Sequence, residues 1–454
     1  LVGTPRQPFA PKYEGLSLMP GPKTSDNLTG VAHDPYAALR YPDFRFLMIG
    51  RFFGSLGEQM AGVAVGWELY VRTHDALALG LVGLVQVLPV ILLSLPAGTV
   101  ADRYSRKKVV AFAQALAALS SLGLVLVSAT QGPIALFYFF LLLIGIARAF
   151  NNPASSALLP QTVPATAFTN AATYSSSAWQ LASVLGPAFG GLLIAVFQKA
   201  WPVYLFDVVA ATLFAVLVSL IQGKQQARSR ERVTVKSLVA GALFVWRTKI
   251  VLAAITLDMF AVLLGGATAL LPAFAEDILK VGPTGLGILR AAPSIGALAM
   301  ALVLTRRPPF TKAGPILLGA VAGFGLTTII FGFSQNFLLS IAMLVLLGAL
   351  DQISVVIRST LVLTKTPDEM RGRVSAVNSV FIGISNELGA FESGVVASLF
   401  GTVWGVALGG IGTIIVVTLV ALGWPEVRRL GRLDAEPQSA QEERPRDVEA
   451  EAVA

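Results

Sequence analysis

An all-α integral membrane protein, with twelve transmembrane helices in two pseudo-symmetric six-helix bundles, is the fold that three features of the sequence predict. The 454 residues are 55% hydrophobic and only 13% charged, against roughly one quarter charged in soluble domains. The apolar residues gather in stretches of about twenty or more, enough at a rise of 1.5 Å per residue to cross a hydrocarbon core of roughly 30 Å. Lysine and arginine crowd into alternate loops, as cytoplasmic loops do.

Taken in order, residues 1–43 contain no apolar run and are rich in Pro, Gly and Ser, which predicts a flexible cytoplasmic tail without a cleavable signal peptide. The first span, 46–70, ends at the polar turn Arg72-Thr73-His74-Asp75. The second, 77–101, runs into Arg103 and carries Pro89, a kink signal. The third, 109–128, lies between Lys108 and the turn Gln131-Gly132-Pro133, which opens the fourth, 134–158. Pro164 separates that span from the fifth, 168–197, and Lys199 separates the fifth from the sixth, 203–222. These six form the first bundle, 44–222. Residues 223–249 are the most polar interval and read as a cytoplasmic linker, whose 235–246 stretch has the pattern of an amphipathic surface helix. The second bundle, 250–424, holds spans at 250–274, 284–304, 314–333, 337–362, 374–400 and 403–424. Residues 425–454 turn charged and are expected to form a solvated cytoplasmic tail.

Arg103, Arg106, Lys107, Lys108, Lys224, Arg228, Arg230, Arg232, Lys236, Arg247, Lys249, Arg306, Arg307, Lys312, Lys365, Arg371 and Arg373 fall on one side, against Arg72, Lys199 and Lys280 on the other. That asymmetry predicts an inner (cytoplasmic) membrane protein with both termini in the cytoplasm. It also accounts for the net charge of +8 without a nucleic-acid partner. Cysteine is absent and only His33 and His74 occur, so no metal, cofactor or thiol chemistry is expected, nor an enzyme. No G-x-x-x-x-G-K-[ST] nucleotide loop is present.

The halves look duplicated. A gapless shift of 203 residues sets Ser156 on Ser359, Leu158 on Leu361, Pro164 on Pro367, Gly186 on Gly389 and Gly191 on Gly394, and a shift of 204 sets Gly83 on Gly287 and Pro89 on Pro293. Two repeats in one orientation imply a pseudo-twofold axis along the membrane normal and a site between them at mid-depth.

The loop after the second span reads Gly98-Thr99-Val100-Ala101-Asp102-Arg103-Tyr104-Ser105-Arg106-Lys107-Lys108. It resembles the G-x-x-x-D-R-x-G-R-R signature of the major facilitator superfamily, with Ser105 in place of the usual glycine. Gly98 permits close helix contact and Asp102 suits the positive end of a neighbouring helix. The resemblance implies that this neighbour is the eleventh helix and that Gly98, Asp102, Arg103, Arg106 and Lys107 form a conformational gate on the cytoplasmic side. In the fifth span, Gly186, Pro187, Gly190 and Gly191 resemble the G-x-x-x-G-P-x-x-G-G motif of antiporters of that superfamily, with Ala182 for its first glycine. This resemblance implies export. Across residues 44–433 the chain is similar to the secretion-type branch of the superfamily, the one that contains the enterobactin exporter.

Nine charged residues inside the spans stand out: Arg51, Glu58, Arg148, Asp207, Asp258, Arg290, Asp351, Glu387 and Glu392. At about 2.5 to 3.5 kcal/mol each, facing lipid they would cost on the order of 20 to 30 kcal/mol. They are therefore expected to face a wet cavity, to pair, or to be neutralised by protonation. Arg148 and its repeat equivalent Asp351 should lie at similar depth, with the prospect of facing each other. By resemblance the first, fourth, seventh and tenth helices line the cavity, which adds Glu58 and Asp258. Arg290 marks a polar position shared with Gln86, and Glu387 and Glu392, five residues apart, point in different directions. The expected substrate or proton cavity thus comprises Glu58, Arg148, Asp258, Arg290, Asp351, Glu387 and Glu392. The expected activity is proton-coupled export of a small organic or amphiphilic molecule by a monomer in the lipid bilayer. An uptake symporter and a carrier-derived scaffold or sensor are the alternatives.

Overall fold

The computed structural model describes residues 34–222, 235–308 and 310–431. The expected flexible character of residues 1–33, 223–234 and 432–454 lies outside the described residues. Long helices follow one another: α1 (Pro42–Thr73), α2 (Ala76–Arg103), α3 (Arg106–Ala129), α4 (Ile134–Leu158), α5 (Phe168–Phe197) and α6 (Trp201–Ser219). After a linker helix, Val235–Arg247, come α7 (Lys249–Leu264), α8 (Gly282–Thr305), α9 (Ala313–Phe333), α10 (Phe337–Lys365), α11 (Asp368–Phe400) and α12 (Thr402–Gly423). Their ends are built as the sequence suggests. Asp75 Oδ1 accepts the Leu77 N–H at 2.8 Å and so caps α2, and His74 and Gln198, at φ of 47° and 54°, turn the chain out of α1 and α5.

Among the described residues, ten of these helices are long and apolar enough to cross a membrane. The two that fall short on composition are α1 and α11, although they are 32 and 33 residues long. Both carry charges along their length, Arg51, Glu58 and Glu68 on one, Arg373, Glu387 and Glu392 on the other. The seventh span departs from a single helix: α7 stops at Gly265-Gly266, and a 3-10 turn, a short α segment and a π-helical turn carry the chain from Ala267 to Ile278. A Cβ on Gly266 would lie 2.6 Å from the Gly389 carbonyl oxygen of α11, so the backbone passes where a regular helix with side chains has no room.

The edges of the bundle are better packed than the sequence implies. Residues 34–41, assigned to the flexible tail, fold onto α5: Ala38 is buried, its N–H donates to Asn170 Oδ1 at 3.0 Å, and Asn170 Nδ2 donates to the Pro35 carbonyl at 2.7 Å. The start of the charged tail likewise returns to α9, where Ala313 and Gly314 N–H donate to the Gly431 and Leu430 carbonyls and Val427 is buried. The linker helix packs on α11 through Gly241 and leaves Trp246 exposed.

Within the first six helices α3 packs on α4 and α6, α1 on α5 and α6, and α2 on α4. Within the last six, α10 packs on α8 and α9, α9 on α12, and α11 on α7 and α12. The two sets meet chiefly where α2 crosses α11 and α5 crosses α8. Each crossing is glycine on glycine. A Cβ on Gly80 would stand 3.0 Å from the Gly394 Cα, and one on Gly191 would stand 2.9 Å from the Gly287 Cα. Both lie toward the end of the molecule that bears Arg72 and Lys280. There the largest core, with Met60, Leu69, Phe137, Leu271, Phe274 and Phe331, also draws from both sets. Toward the opposite, basic end, Gly98 of α2 and Gly372 and Gly383 of α11 have open space where a side chain would go. The Arg72 end is thus closed by contacts between the two sets, and no glycine contact of this kind joins Gly98 to Gly372 or Gly383 at the basic end.

Candidate functional site: a charged junction above a polar cavity

The sequence places Arg148 about midway along α4 and Glu58 midway along α1. The structure brings them into an ion pair with Arg148 Nε 2.5 Å from Glu58 Oε1. The same guanidinium donates through Nη1 to Gln86 Oε1 of α2 at 2.5 Å and lies 3.6 Å from Glu387 Oε1 of α11. One arginine thus ties together four helices, three from the first set and one from the second. These side chains remain 31% to 48% exposed, so the junction sits in contact with the space between the sets. Arg290 of α8 makes a second bridge at this level, donating to the Gly62 carbonyl of α1 at 3.1 Å.

Next to the junction, within the first six helices, is a cavity of about 330 Å³. Its walls are polar: Arg51, Ser55 and Glu58 from α1, Gln114 from α3, Arg148, Asn151, Asn152, Ser155 and Ser156 from α4, and Asp207 from α6, with Trp179 and Phe214 as the aromatic members. Asp207 is buried and accepts from Ser121 Oγ at 2.6 Å, while its other oxygen packs on Gly57. Arg51 and Asp207, which the sequence places inside spans but outside the expected cavity set, are therefore cavity residues.

Three expected members of this site stand elsewhere. Asp258 of α7 pairs with Arg358 of α10, with side chains 9% and 5% exposed. Asp351 does not face Arg148: it lines, with Asp258, Ala261, Ala320, Leu350 and Ser354, a void of about 10 Å³ inside the last six helices, room for about one water. The reason is rotational. Arg148 points from α4 toward α1 and α2, whereas Asp351 points from α10 toward α7 and α9. Glu392 has a weak contact with its neighbour Ser393 at 3.5 Å and takes no part in the junction, which Glu387 alone joins from α11. Arg358 is the residue missed by sequence reasoning. It lies inside the predicted 337–362 span, and a charge there was signal enough.

The two cavities correspond. Under the 203-residue shift, Ser55, Glu58, Ala117, Ala147, Arg148 and Asn151 of the larger one fall on Asp258, Ala261, Ala320, Leu350, Asp351 and Ser354 of the smaller one.

At the sealed end Glu68, also missed although inside the first predicted span, is buried 3.5 Å from Arg72. Arg72 donates to the Gly132 carbonyl at 2.5 Å and sits over the Phe137 ring at 5.3 Å. Tyr70 Oη donates to Asp277 Oδ2, which fastens α1 to the irregular segment after α7. The antiporter-like motif contributes to this seal: Gly186 and Gly190 let α5 lie against Gln59 and Met60 of α1, and Gly191 and the Pro187 carbonyl meet Gly287 of α8. Of the gate residues, Arg106 and Lys107 donate to the Ala157 and Ile221 carbonyls, both at 2.9 Å and both within the first half. Arg103 is exposed at the basic end. Asp102 lies in the last turn of α2.

The profile of a family described as transmembrane secretion effectors matches residues 33–452. Enterobactin exporters of Escherichia coli O1:K1 and of Escherichia coli O139:H28 are 27% identical to the chain over 393 residues, covering 86% of this chain and 93% of theirs. Among solved structures, a bacterial homologue of the iron transporter ferroportin in an inward-facing state superposes with a TM-score of 0.66 at 16% identity, covering 86% of this chain and 99% of that one. A bacterial homologue of the human lysosomal transporter Spinster, inward-facing and unoccupied, gives 0.65 at 13% identity over 87% and 98%. At such identities the structural likeness is one of fold.

Proposed function

This chain belongs to the transmembrane secretion effector family of the major facilitator superfamily, and from that premise we propose that it exports a small organic molecule in exchange for protons by alternating access. It is a multi-pass membrane transporter and not an enzyme. The observation that carries the proposal is the Arg148 junction, where Glu58 of the first half and Glu387 of the second share one guanidinium. An ion pair needs an ionised carboxylate. A proton taken up by Glu387 removes the attraction that holds α11 to α4, and one taken up by Glu58 frees Arg148 from α1, so proton occupancy sets how the halves are tied.

The rest of the cycle follows from the two ends. In the state described here the Arg72 end is closed by the glycine crossings and by Tyr70 on Asp277, and we read the basic end, where Gly98, Gly372 and Gly383 meet no neighbour, as the open one. We take the basic end as cytoplasmic, from the lysine and arginine excess, so this state receives cargo from the cell. Rocking two six-helix bundles about a pseudo-twofold axis would open the far end and bring Gly98 and Asp102 of α2 against α11, the gate that the Gly98-to-Lys108 loop resembles. The matching positions of the two cavities support such a pair of bundles. The exporters similar to this chain carry enterobactin by name, which makes a siderophore the first compound to test.

The test is flux. Proteoliposomes loaded with enterobactin, a lipophilic drug or lysophosphatidylglycerol are given a pH gradient, and the variants Glu58→Gln and Glu387→Gln are run beside the parent. Gradient-driven movement that either substitution uncouples supports the reading. Flux indifferent to the gradient refutes proton exchange.

A further inference from the structure

Membrane bundles leave few polar side chains idle, because no water in the hydrocarbon region satisfies them. Several serines in this molecule are satisfied by the backbone: Ser120, Ser183, Ser219 and Ser385 each donate to the carbonyl four residues back. The 330 Å³ cavity breaks the habit. Arg51, Ser55, Gln114, Asn151, Asn152 and Ser155 all line it, and among the described residues none has a side-chain hydrogen bond or ion pair. Ser155 is only 4% exposed, so the cavity is where its hydroxyl must find a partner.

The matching place in the second half is built the other way. Two of the idle serines, Ser55 and Ser155, correspond under the 203-residue shift to Asp258 and Arg358, the buried ion pair. Asn151 and Gln114 correspond to Ser354 and Leu317. The void left there is about 10 Å³. Where the first half keeps Ser55 and Ser155 free, the second half pairs Asp258 with Arg358 at the same positions and leaves little space beside them.

We infer that the ligand subsite belongs to the first half alone. Arg51, Ser55, Gln114, Asn151 and Ser155 receive a neutral or zwitterionic small molecule rich in hydroxyl and amide groups, and the Asp258–Arg358 pair is a structural plug in the equivalent place. The class follows from the lining. Arg51 offers a cation without an ion-pair partner among the described residues at one end, and Glu58, with Asp207 packed beside its neighbour Gly57, lies roughly 10 Å deeper by seven residues of helical rise along α1. Amides and hydroxyls that both donate and accept lie between. A volume of this size is at the small end of ligand pockets. An apolar chain placed there would strand half a dozen polar groups, which is how a site built for hydrogen bonds rejects ligands that lack them. The inference rests on the exporter reading for its transport consequences but not for the cavity itself.

The absence of cysteine makes the experiment direct. Single substitutions Gln114→Cys and Asn151→Cys in the first half, and their counterparts Leu317→Cys and Ser354→Cys in the second, are exposed to the hydrophilic reagent methanethiosulfonate ethyltrimethylammonium in purified protein. The first pair should react at least about tenfold faster, a difference of about 1.4 kcal/mol. Grafting the plug, as Ser55→Asp with Ser155→Arg, should slow Asn151→Cys labelling by a similar factor. Equal rates in the two halves, or a graft without effect, overturn the subsite. In proteoliposomes Gln114→Leu and Asn151→Leu, close in volume to the parent residues, should raise the KM for enterobactin about tenfold. Lysophosphatidylglycerol moved in preference, and unaffected by these substitutions, overturns the ligand class. A parent that moves neither compound removes the exporter reading and the ligand class with it, whereas the labelling result still decides the cavity.

Discussion

Removing Arg358 should cost this protein more stability than removing any charge at the Arg148 junction. Asp258 and Arg358 are 9% and 5% exposed and lie between α7 and α10, so the pair is dry apart from a void with room for about one water. Breaking a buried pair by deleting one member typically costs about 3 to 5 kcal/mol, because the survivor is left charged and unsolvated. The Arg148 contacts, at 31% to 48% exposure, are screened by solvent and fall nearer the roughly 0 to 1 kcal/mol of accessible ion pairs. Arg358→Met should therefore lower the apparent Tm in detergent by several degrees, and Asp258→Leu should do the same. The double replacement, apolar and of similar bulk, should recover most of the loss, giving a coupling energy of at least about 2 kcal/mol in the double-mutant cycle. Fluorescence-monitored thermal unfolding of the four proteins reads this directly. Additive losses would mean that the two side chains do not stabilise each other, and the plug would lose its physical basis.

Other expectations concern movement. Glu387→Gln should leave the Tm within about 1 kcal/mol of the parent, yet abolish the pH dependence of the distance between spin labels placed on α4 and α11. A parent-like pH response in that variant would discount Glu387 as the link. Tyr70→Phe removes the hydroxyl that donates to Asp277, a hydrogen bond to a charged group worth about 1.5 to 3 kcal/mol. It should open the Arg72 end more often, seen as faster labelling of Trp67→Cys by an impermeant reagent added outside. Gly191→Val cannot keep the α5–α8 crossing, since its Cβ alone would stand 2.9 Å from the Gly287 Cα. Spin-label distances across the Arg72 end should lengthen in this variant, and unchanged distances would show that the crossing yields elsewhere.

The irregular segments explain much of what was illegible. A run of apolar residues such as 250–274 looks continuous because hydropathy averages over a window. The break at Gly265-Gly266 arises from the proximity of the Gly389 backbone, a neighbour more than 120 residues away in the chain. The packing of residues 34–41 has the same origin, since Asn170 and Tyr174 of α5 capture the Pro35 carbonyl. Arg358 and Glu68 were within reach of simple reading, because each lies inside a predicted span and a charge in a span is itself a signal. Their partners were not. Each residue advances a helix by about 100°, so depth can be counted along the chain, but facing depends on how a helix is rotated among its neighbours. Arg148 and Asp351 share a depth and point into different bundles for that reason.

From the sequence alone came the membrane class and nearly every helix within a few residues, because lipid obliges each spanning segment to satisfy its own backbone and to carry its apolar surface locally. Tertiary structure alone decided that Glu58 and Glu387 meet at Arg148, that Asp258 is locked to Arg358, and that Ser55 and Ser155 line an open polar cavity in the first half. Those outcomes depend on distances between side chains brought together from opposite ends of the chain, and no local pattern encodes them.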